Sequence, residues 1–324
     1  MRFSVKVKTL AVVIALVACA HQPQAGAQKT PDAEIAELWQ EPVDLPQRDL
    51  FVGPGGAALA PPSTGGTYQF IAFKTSGTNP GYDVRDAAGR VWSVKLGIEA
   101  QPEVTASRIM WAMGFPQPAQ YFVHEFTLTG TDAGVKTNAR FRTDLEEWRP
   151  INEWSWYENP FLNSPPFGGL IVTQLILNSW DLKTMNNRLY EATDPSAKPR
   201  RQYVVRDLGS SLGHSKQFPL FKILGTPGAQ GSKNDLEGFE EQGFIVKVDG
   251  DNVSFDYRGL NQALVDRVKV ADVIWACERM AKIPDEQWQA AFRAGAFPQD
   301  SADRYIRKIK EKIAQGLALK SSTR

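Results

Sequence analysis

The period of the apolar residues changes once along the chain, close to residue 145, and this change limits the fold more than any other feature. Before it, apolar and polar residues alternate in short segments, which predicts strands. These segments are 68–74, 82–87, 90–97 and 119–129. One helix is predicted among them, with Pro102 near its first turn and Gly114 just past its end. Later segments have helical periodicity, at 170–180, 260–283 and 286–319. We therefore expect an α+β protein, with a strand-rich first half and a mostly helical second half.

The first 27 residues have the composition of an export signal. Basic residues precede nine apolar residues at 10–18, a run too short to span a bilayer. The segment 16–19 has the form of a bacterial lipobox, in which Cys19 would be acylated, whereas 25–27 fits ordinary signal cleavage. We favour the lipobox because Cys19 ends the apolar run directly. The expected location is the periplasm or cell envelope, with membrane contact only through a lipid on Cys19.

Composition excludes several classes of protein. With 42% hydrophobic and 23% charged residues, the chain is neither disordered nor a multispan membrane protein. Its 37 basic and 36 acidic residues nearly cancel, so no nucleic-acid partner is expected. The two cysteines, Cys19 and Cys277, and three scattered histidines exclude a zinc site built from these residue types.

Four short motifs occur in an order that suggests chemistry. Val94-Lys95 lies on the third predicted strand, and Glu103 opens the next helix. Asp-Leu-Lys-Thr-Met-Asn at 181–186 follows the apolar run, and Asp-Leu-Gly at 207–209 follows a short strand. Together they resemble the V-A-I-K lysine, the D-L-K-x-x-N catalytic loop and the D-F-G metal motif of the protein-kinase-like fold. The resemblance is closest to atypical kinases, such as the HipA-like, lipid-kinase-like and secreted CotH-like groups.

This resemblance implies a two-lobed architecture. Residues 67–145 would form an N-lobe, a small antiparallel sheet plus one helix, and 146–320 a larger, mostly helical C-lobe. The signal segment 1–27 and a Pro/Gly-rich tether at 28–66 would precede them, with a short helix at 32–39.

The resemblance also assigns roles in phosphoryl transfer from ATP with Mg²⁺ or Mn²⁺ to an unknown hydroxyl acceptor. Lys95 would hold the α- and β-phosphates, oriented by Glu103, for which Glu99 is a rival. Asn186 and Asp207 would bind the metal ion. Asp181 would accept the proton of the hydroxyl, and Lys183 would point toward the transferred group. The hairpin turn at 75–81 would cradle phosphates through its backbone, at Ser76, Gly77 and Gly81.

Several features depart from the kinase pattern. Ser179-Trp180 stands where kinases have His-Arg, the turn at 75–81 lacks a G-x-G-x-x-G, and Glu103 is only eight residues past Lys95. An exported protein also meets little ATP. The alternative is therefore a catalytically silent kinase-like lipoprotein that acts as a binding or scaffold protein.

Two further patterns suggest other functions. Gly209–Gly213 matches the G-x-S-x-G elbow of hydrolases, with Ser211 as nucleophile and His214 as the only histidine after it. Aromatic residues at 148, 154, 156 and 157 fit a platform for stacking a sugar or peptide, although core packing is the simpler interpretation.

Overall fold

A computed structural model describes residues 32–75, 79–215 and 231–322 of the 324-residue chain. The signal segment, Cys19 and two of the predicted phosphate-cradling residues, Ser76 and Gly77, lie outside the described residues. The described part is α+β, as the sequence predicts. Among the described residues, no helix combines the length and apolarity needed to cross a membrane.

The first half of the chain forms a closed five-stranded barrel. Its strands are β1 (Thr67–Phe73), β2 (Gly81–Arg85), β3 (Val91–Leu96), β4 (Ala119–Thr129) and β5 (Gly134–Thr143). They lie in the order β1-β2-β3-β5-β4, and the barrel closes because the start of β1 pairs in parallel with the end of β4. Trp92, Phe126 and Phe141 are buried in its small core. Strand β5 was not predicted, since its sequence is polar.

Helix α2 (Ala100–Ala112) connects the barrel to the second half. It ends before Gly114, whose φ of +92° suits glycine. It packs against the barrel strands β4 and β5, and its residues Ile109 and Met110 belong to the large core of the helical region. The helix therefore places Glu103, in its first turn, between the two parts of the molecule.

The second half is built around one buried helix. Helix α3 (Pro165–Ile176) is capped by the Ser164 side chain, and nearly all of its residues are buried. The other helices are α4 (Leu236–Glu241), α5 (Gln262–Val265), α6 (Val270–Met280), α7 (Asp285–Ala294) and α8 (Gln299–Ser322). Each of the two long helical segments predicted from the sequence is thus divided into two helices. Pro298 directly precedes the first residue of α8, a position where proline is tolerated.

Two small sheets complete the second half. The strands β6 (Trp148–Asn152), β7 (Asn187–Ala192) and β8 (Arg201–Val205) form an antiparallel sheet in that order. The strands β9 (Ile245–Asp249) and β10 (Asn252–Phe255) form a hairpin. The sequence predicts this hairpin, from the strand-like segment 244–257 and its turn at Asp249-Gly250. The β7–β8 hairpin matters most, because it joins the two acidic motifs: Asn186 precedes β7 and Asp207 follows β8.

The segment predicted as a tether is packed where the structure describes it. It contains the expected short helix, α1 (Asp32–Leu38). The side chains of Leu38, Leu45 and Leu50 are at most 6% exposed and belong to the large core. Arg48 also donates a hydrogen bond to the Trp111 carbonyl at the end of α2, at 2.7 Å. The tether prediction is therefore wrong for residues 32–50, because three well-spaced leucines are enough to hold a segment rich in proline and polar residues.

The prediction of an aromatic platform for stacking a ligand is also wrong for its two central residues, Trp154 and Trp156. Trp154 is 4% exposed and Trp156 is fully buried, with their rings 4.8 Å apart. The Trp154 indole N–H donates to the Val204 carbonyl of β8, at 3.0 Å. These two rings pack beneath the β7–β8 hairpin and are not available to stack against a ligand.

Candidate functional site

The ammonium group of Lys95 is the centre of the candidate site. Strand β3 places it between the barrel and the end of the β7–β8 hairpin, with 17% of the side chain exposed. Its Nζ lies 3.0 Å from Glu103 Oε2, 3.1 Å from Glu99 Oε2 and 2.9 Å from both carboxylate oxygens of Asp207. Three acidic residues from two separate parts of the chain therefore converge on one lysine, and both rivals for pairing with Lys95 contact it.

Burial and charge act in opposite directions on these groups. Burial by itself lowers the pKa of Lys95, but the carboxylates of Glu103 and Asp207 outweigh it, so the pKa is raised above its ordinary value. Burial raises the pKa of the Asp207 carboxyl, yet Lys95 and the nearby arginines hold that pKa below its usual range. The site is thus a set of ionised groups that stabilise one another at neutral pH.

Glu103 is fixed on its buried side by two arginines of β5. The Glu103 side chain is fully buried, as its inward-facing helical neighbours predict. Its Oε1 lies 2.9 Å from Arg140 Nε and 3.3 Å from Arg142 Nη1. Arg140 also donates to the Ser93 carbonyl of β3, at 2.8 Å. Burial and the neighbouring Arg140 and Arg206 lower the pKa of Arg142 to about 9, and the nearby Glu103 carboxylate opposes this lowering.

The β7–β8 hairpin brings Asn186 beside Asp207. Asn187 pairs with Val205, and the Asn186 carbonyl accepts hydrogen bonds from the backbone N–H of Arg206, at 2.9 Å, and of Asp207, at 3.4 Å. The Asp207 side chain is 40% exposed, unlike the buried Glu103. Among the described residues, Lys95 is the only ion-pair partner of Asp207. The structure therefore brings the backbones of these two predicted metal ligands together, with the Asp207 carboxylate partly exposed.

Asp181 and Lys183 lie in the loop after α3. The Asp181 carboxylate is 23% exposed, and its Oδ1 lies 3.0 Å from Lys183 Nζ. The Asn186 side-chain amide donates to the Asp181 carbonyl, at 2.6 Å. The Asp181 N–H lies 3.3 Å from the hydroxyl of Ser210, which follows the Asp-Leu-Gly motif. Both acidic motifs are therefore joined by direct contacts.

Buried groups support this loop from below. Lys312, on α8, donates to the Ile176 carbonyl at 3.1 Å and to Asn178 Oδ1 at 2.6 Å. Burial lowers the pKa of Lys312 well below its ordinary value, and even a neutral amine has the two N–H donors needed here. The Tyr305 hydroxyl of the same helix donates to the Leu212 carbonyl, at 3.1 Å.

Glu99 belongs to the site through a second set of contacts. Its Oε1 pairs with Lys233, which lies 134 residues further along the chain. Its side chain also packs on Gly209, where an added Cβ would lie 2.8 Å from the Glu99 Cβ and 2.9 Å from Oε2. The glycine of the Asp-Leu-Gly motif is therefore required to leave room for Glu99.

The three carboxylates around Lys95 are not an open metal site. Oxygens of Glu99, Glu103 and Asp207 all lie within 4.8 Å of one another, a spacing that a metal ion could use. The Lys95 ammonium, however, already lies within 3.1 Å of each carboxylate. Asp207 is the most exposed of the three, at 40%, so a divalent cation would reach this carboxylate from solvent, in place of its contact with Lys95.

The remaining predicted residues have other positions. Gly81 begins β2, opposite Lys95, and a Cβ there would lie 2.6 Å from the Val94 carbonyl oxygen. Its need for glycine is thus explained by strand packing. The hydrolase interpretation is wrong: Ser211 is buried and its hydroxyl has no hydrogen-bond partner among the described residues, whereas the His214 ring contacts Ser232 and Asp235.

Sequence reasoning missed three charged residues: Arg140, Arg142 and Lys233. The only available signal was the alternation of two arginines with Phe141 on β5, and nothing local marks Lys233. A cavity of about 760 Å³ opens beside Lys233, lined also by Gln101, Asn234 and Tyr305. None of the motif residues lines it.

Comparison with known proteins gives structural similarities only. No protein-family model matches the sequence, and no curated protein matches it. Among solved structures, the proinflammatory kinase CtkA of Helicobacter pylori is 12% identical, with a TM-score of 0.47, over 79% of this chain and 97% of that chain.

A second similar structure is the Rio2 kinase of Chaetomium thermophilum, solved as an ADP/Mg²⁺-phosphoaspartate complex. It is 12% identical, with a TM-score of 0.29, over 76% of this chain and 72% of that chain. Both structures are kinases, but the functional conclusion for this chain has to come from the contacts of its own residues.

Proposed function

We propose that this protein is an exported kinase-like phosphotransferase that moves the γ-phosphoryl group of Mg-ATP to a hydroxyl acceptor. The barrel with α2 would be the N-lobe and the helical part the C-lobe. One observation carries the proposal: the Lys95 ammonium meets the Asp207 carboxylate, 112 residues away, at 2.9 Å, and Asp207 lies beside Asn186 and the Asp181 loop. Export, and a lipid on Cys19, are proposed from the sequence of the first 27 residues.

The chain's own groups suit the chemistry of phosphoryl transfer, which depends on positioning and charge neutralisation. Lys95 stays protonated at neutral pH and would donate to the phosphate oxygens. Asp207 and Asn186 would hold Mg²⁺ or Mn²⁺, which would neutralise charge on the phosphates. Asp181, partly exposed, would accept the proton of the attacking hydroxyl. A bond forms from the acceptor oxygen to the γ-phosphorus, the bond from that phosphorus to the β–γ bridging oxygen breaks, and ADP leaves.

The first test is nucleotide binding by the purified protein. A ligand present at a hundred times its dissociation constant stabilises the folded state by roughly 2.7 kcal/mol. We expect such a rise in thermal stability with ATP plus Mg²⁺ or Mn²⁺, and a smaller one with ATP alone. Asp207→Asn should remove the metal-dependent part, whereas Asp300→Asn, at an exposed position on α8, should keep it.

The outcomes separate the two functions left open by the sequence. Stabilisation by Mg-ATP that is unchanged in Asp207→Asn contradicts the proposed site. No stabilisation with either metal ion contradicts the phosphotransferase and favours the silent scaffold. If binding is seen, transfer is tested by following ADP formation with candidate hydroxyl acceptors, which Asp181→Asn should abolish without removing nucleotide binding.

A further inference from the structure

Lys95 cannot keep all its present contacts and also bind phosphates. An ammonium group has three N–H donors, and three carboxylates surround this one within 3.1 Å. A nucleotide that uses Lys95 must therefore replace at least one of them. Each carboxylate can give up its contact with Lys95 only if another positive charge is close enough to pair with it.

The three carboxylates differ in their other partners. Glu103 is fully buried and also pairs with Arg140 and Arg142, so it is fixed in place. Asp207 faces the opening and, in the proposed function, would turn to the metal ion. Glu99 is 8% exposed and has one further cation within the described residues, Lys233. Without that cation, releasing Lys95 would leave an almost buried carboxylate unpaired, which is costly.

Lys233 is held where it can act on both Glu99 and the catalytic loop. Its Nζ lies 5.5 Å from the centroid of the Trp180 ring, next to Asp181. The Trp180 indole N–H donates to the carbonyl of Ser232, the residue before Lys233, at 2.8 Å. The backbone next to Lys233 is thus hydrogen-bonded to Trp180, the residue before Asp181, and the Lys233 side chain extends to Glu99.

We propose that Lys233 is a positioning residue for nucleotide binding: it neutralises Glu99, so that Lys95 is free to turn from Glu99 to the phosphates. This inference rests on the proposed function, because it takes a nucleotide phosphate as the group that Lys95 binds. It assigns roles to two residues outside the kinase motifs. Lys233 acts through Glu99 and need not touch the nucleotide.

The proposal makes the effect of Lys233 depend on Glu99. In Lys233→Met, Lys95 is the one cation still paired with Glu99 among the described residues, and the negative charge of Glu99 repels an incoming polyphosphate. In Glu99→Gln, that charge is gone and Lys233 has nothing to neutralise. Methionine preserves much of the aliphatic contact of Lys233 with Trp180, and arginine preserves the charge.

The experiment is a double-mutant cycle on the Kd for Mg-ATP, measured by calorimetry with the purified full chain. We expect Lys233→Met to raise Kd roughly tenfold, which corresponds to about 1.4 kcal/mol. Lys233→Arg should restore most of the affinity. In the Glu99→Gln background, adding Lys233→Met should change Kd by less than about twofold, a non-additivity that measures the coupling.

Each result decides the proposal. An unchanged Kd in Lys233→Met overturns it, and so does an equal loss in both backgrounds, which would mean that Lys233 contacts the phosphates itself. If Lys233→Met fails to fold, the comparison of Glu99→Gln with wild type decides: affinity reduced by the glutamine contradicts the inference, and affinity equal or higher supports it. Wild-type protein that binds no nucleotide refutes the proposed function instead.

Discussion

The two sides of Lys95 are built differently. The side that faces α2, here called the α2 side, is an ionic cluster with almost no exposed surface, formed by Glu103, Arg140 and Arg142. On the hairpin side, the β7–β8 hairpin presents Asn186 and Asp207 with the carboxylate 40% exposed. Charges hold the first side in place. Aromatic packing and backbone hydrogen bonds hold the second, as the contact of Trp154 with Val204 shows. The difference separates a buried ionic support on the α2 side from a partly exposed carboxylate on the hairpin side.

The largest expected effect is on the α2 side. Glu103→Ala leaves Arg140, Arg142 and Lys95 without their shared carboxylate, and breaking a buried charge network in this way costs roughly 3–5 kcal/mol. Glu125→Ala, at an exposed position on β4, should cost less than about 0.5 kcal/mol. Urea unfolding measures both. Similar small losses in the two variants would mean that the charges on the α2 side do not hold it together.

The hairpin side should depend on packing instead. Trp154→Ala removes a buried indole beneath β8 and should lower the free energy of unfolding by about 3 kcal/mol. Trp154→Phe keeps an aromatic ring and loses the hydrogen bond to Val204, so a loss of about 1 kcal/mol is expected. Chemical denaturation of both variants checks the order. Equal losses would show that the hydrogen bond, and not the packed ring, supports the hairpin.

A smaller effect is expected where the two sides meet. Gly209→Ala places a methyl group 2.8 Å from the Glu99 Cβ, and such overpacking costs about 1–3 kcal/mol. Gly243→Ala is the matched control, since its nearest contact would be 3.3 Å away. Thermal melts should separate the two variants. A Gly209→Ala protein as stable as the control would contradict the close packing of Glu99 on this motif.

The smallest effect concerns Lys312, whose folded-state pKa is lowered by burial and by the charge of Lys308. Between that pKa and 10.5, the unfolded chain binds more protons than the folded one, so stability rises with pH, by at most about 1.4 kcal/mol per unit for one group. Wild type should therefore gain up to about 1.4 kcal/mol of stability relative to Lys312→Met over the single pH unit from 9 to 10, measured by urea unfolding. Lys247→Met, at an exposed site, is the control variant. A wild-type protein that loses stability relative to Lys312→Met as the pH rises would contradict the lowered pKa of Lys312.

The sequence was informative where local pattern decides the structure. Alternation and turn residues located β1 to β4 and the hairpin of β9 and β10, and the proline and glycine positions located α2. Strand β5 was not predicted because Arg140 and Arg142 occupy largely buried positions, which suit arginine only when an ionic partner such as Glu103 is present.

For the candidate site, the motifs located Lys95, Asn186 and Asp207, whose spacing is local to each motif. The pairing of Glu99 with Lys233 could not be found in this way, because it joins residues 134 positions apart and depends on the path of the intervening chain. Whether the motif residues act as proposed is for the nucleotide experiments to decide.

The position of helix α8 at the end of the described chain affects the order in which the parts of the site can form during synthesis. Lys312 and Tyr305 brace the backbone on both sides of the site, at Ile176 and Leu212. During synthesis or translocation from the N-terminus, the barrel emerges well before these two residues. A partly synthesised chain therefore already has Lys95 on its barrel but still lacks the two α8 contacts that hold the backbone at Ile176 and Leu212.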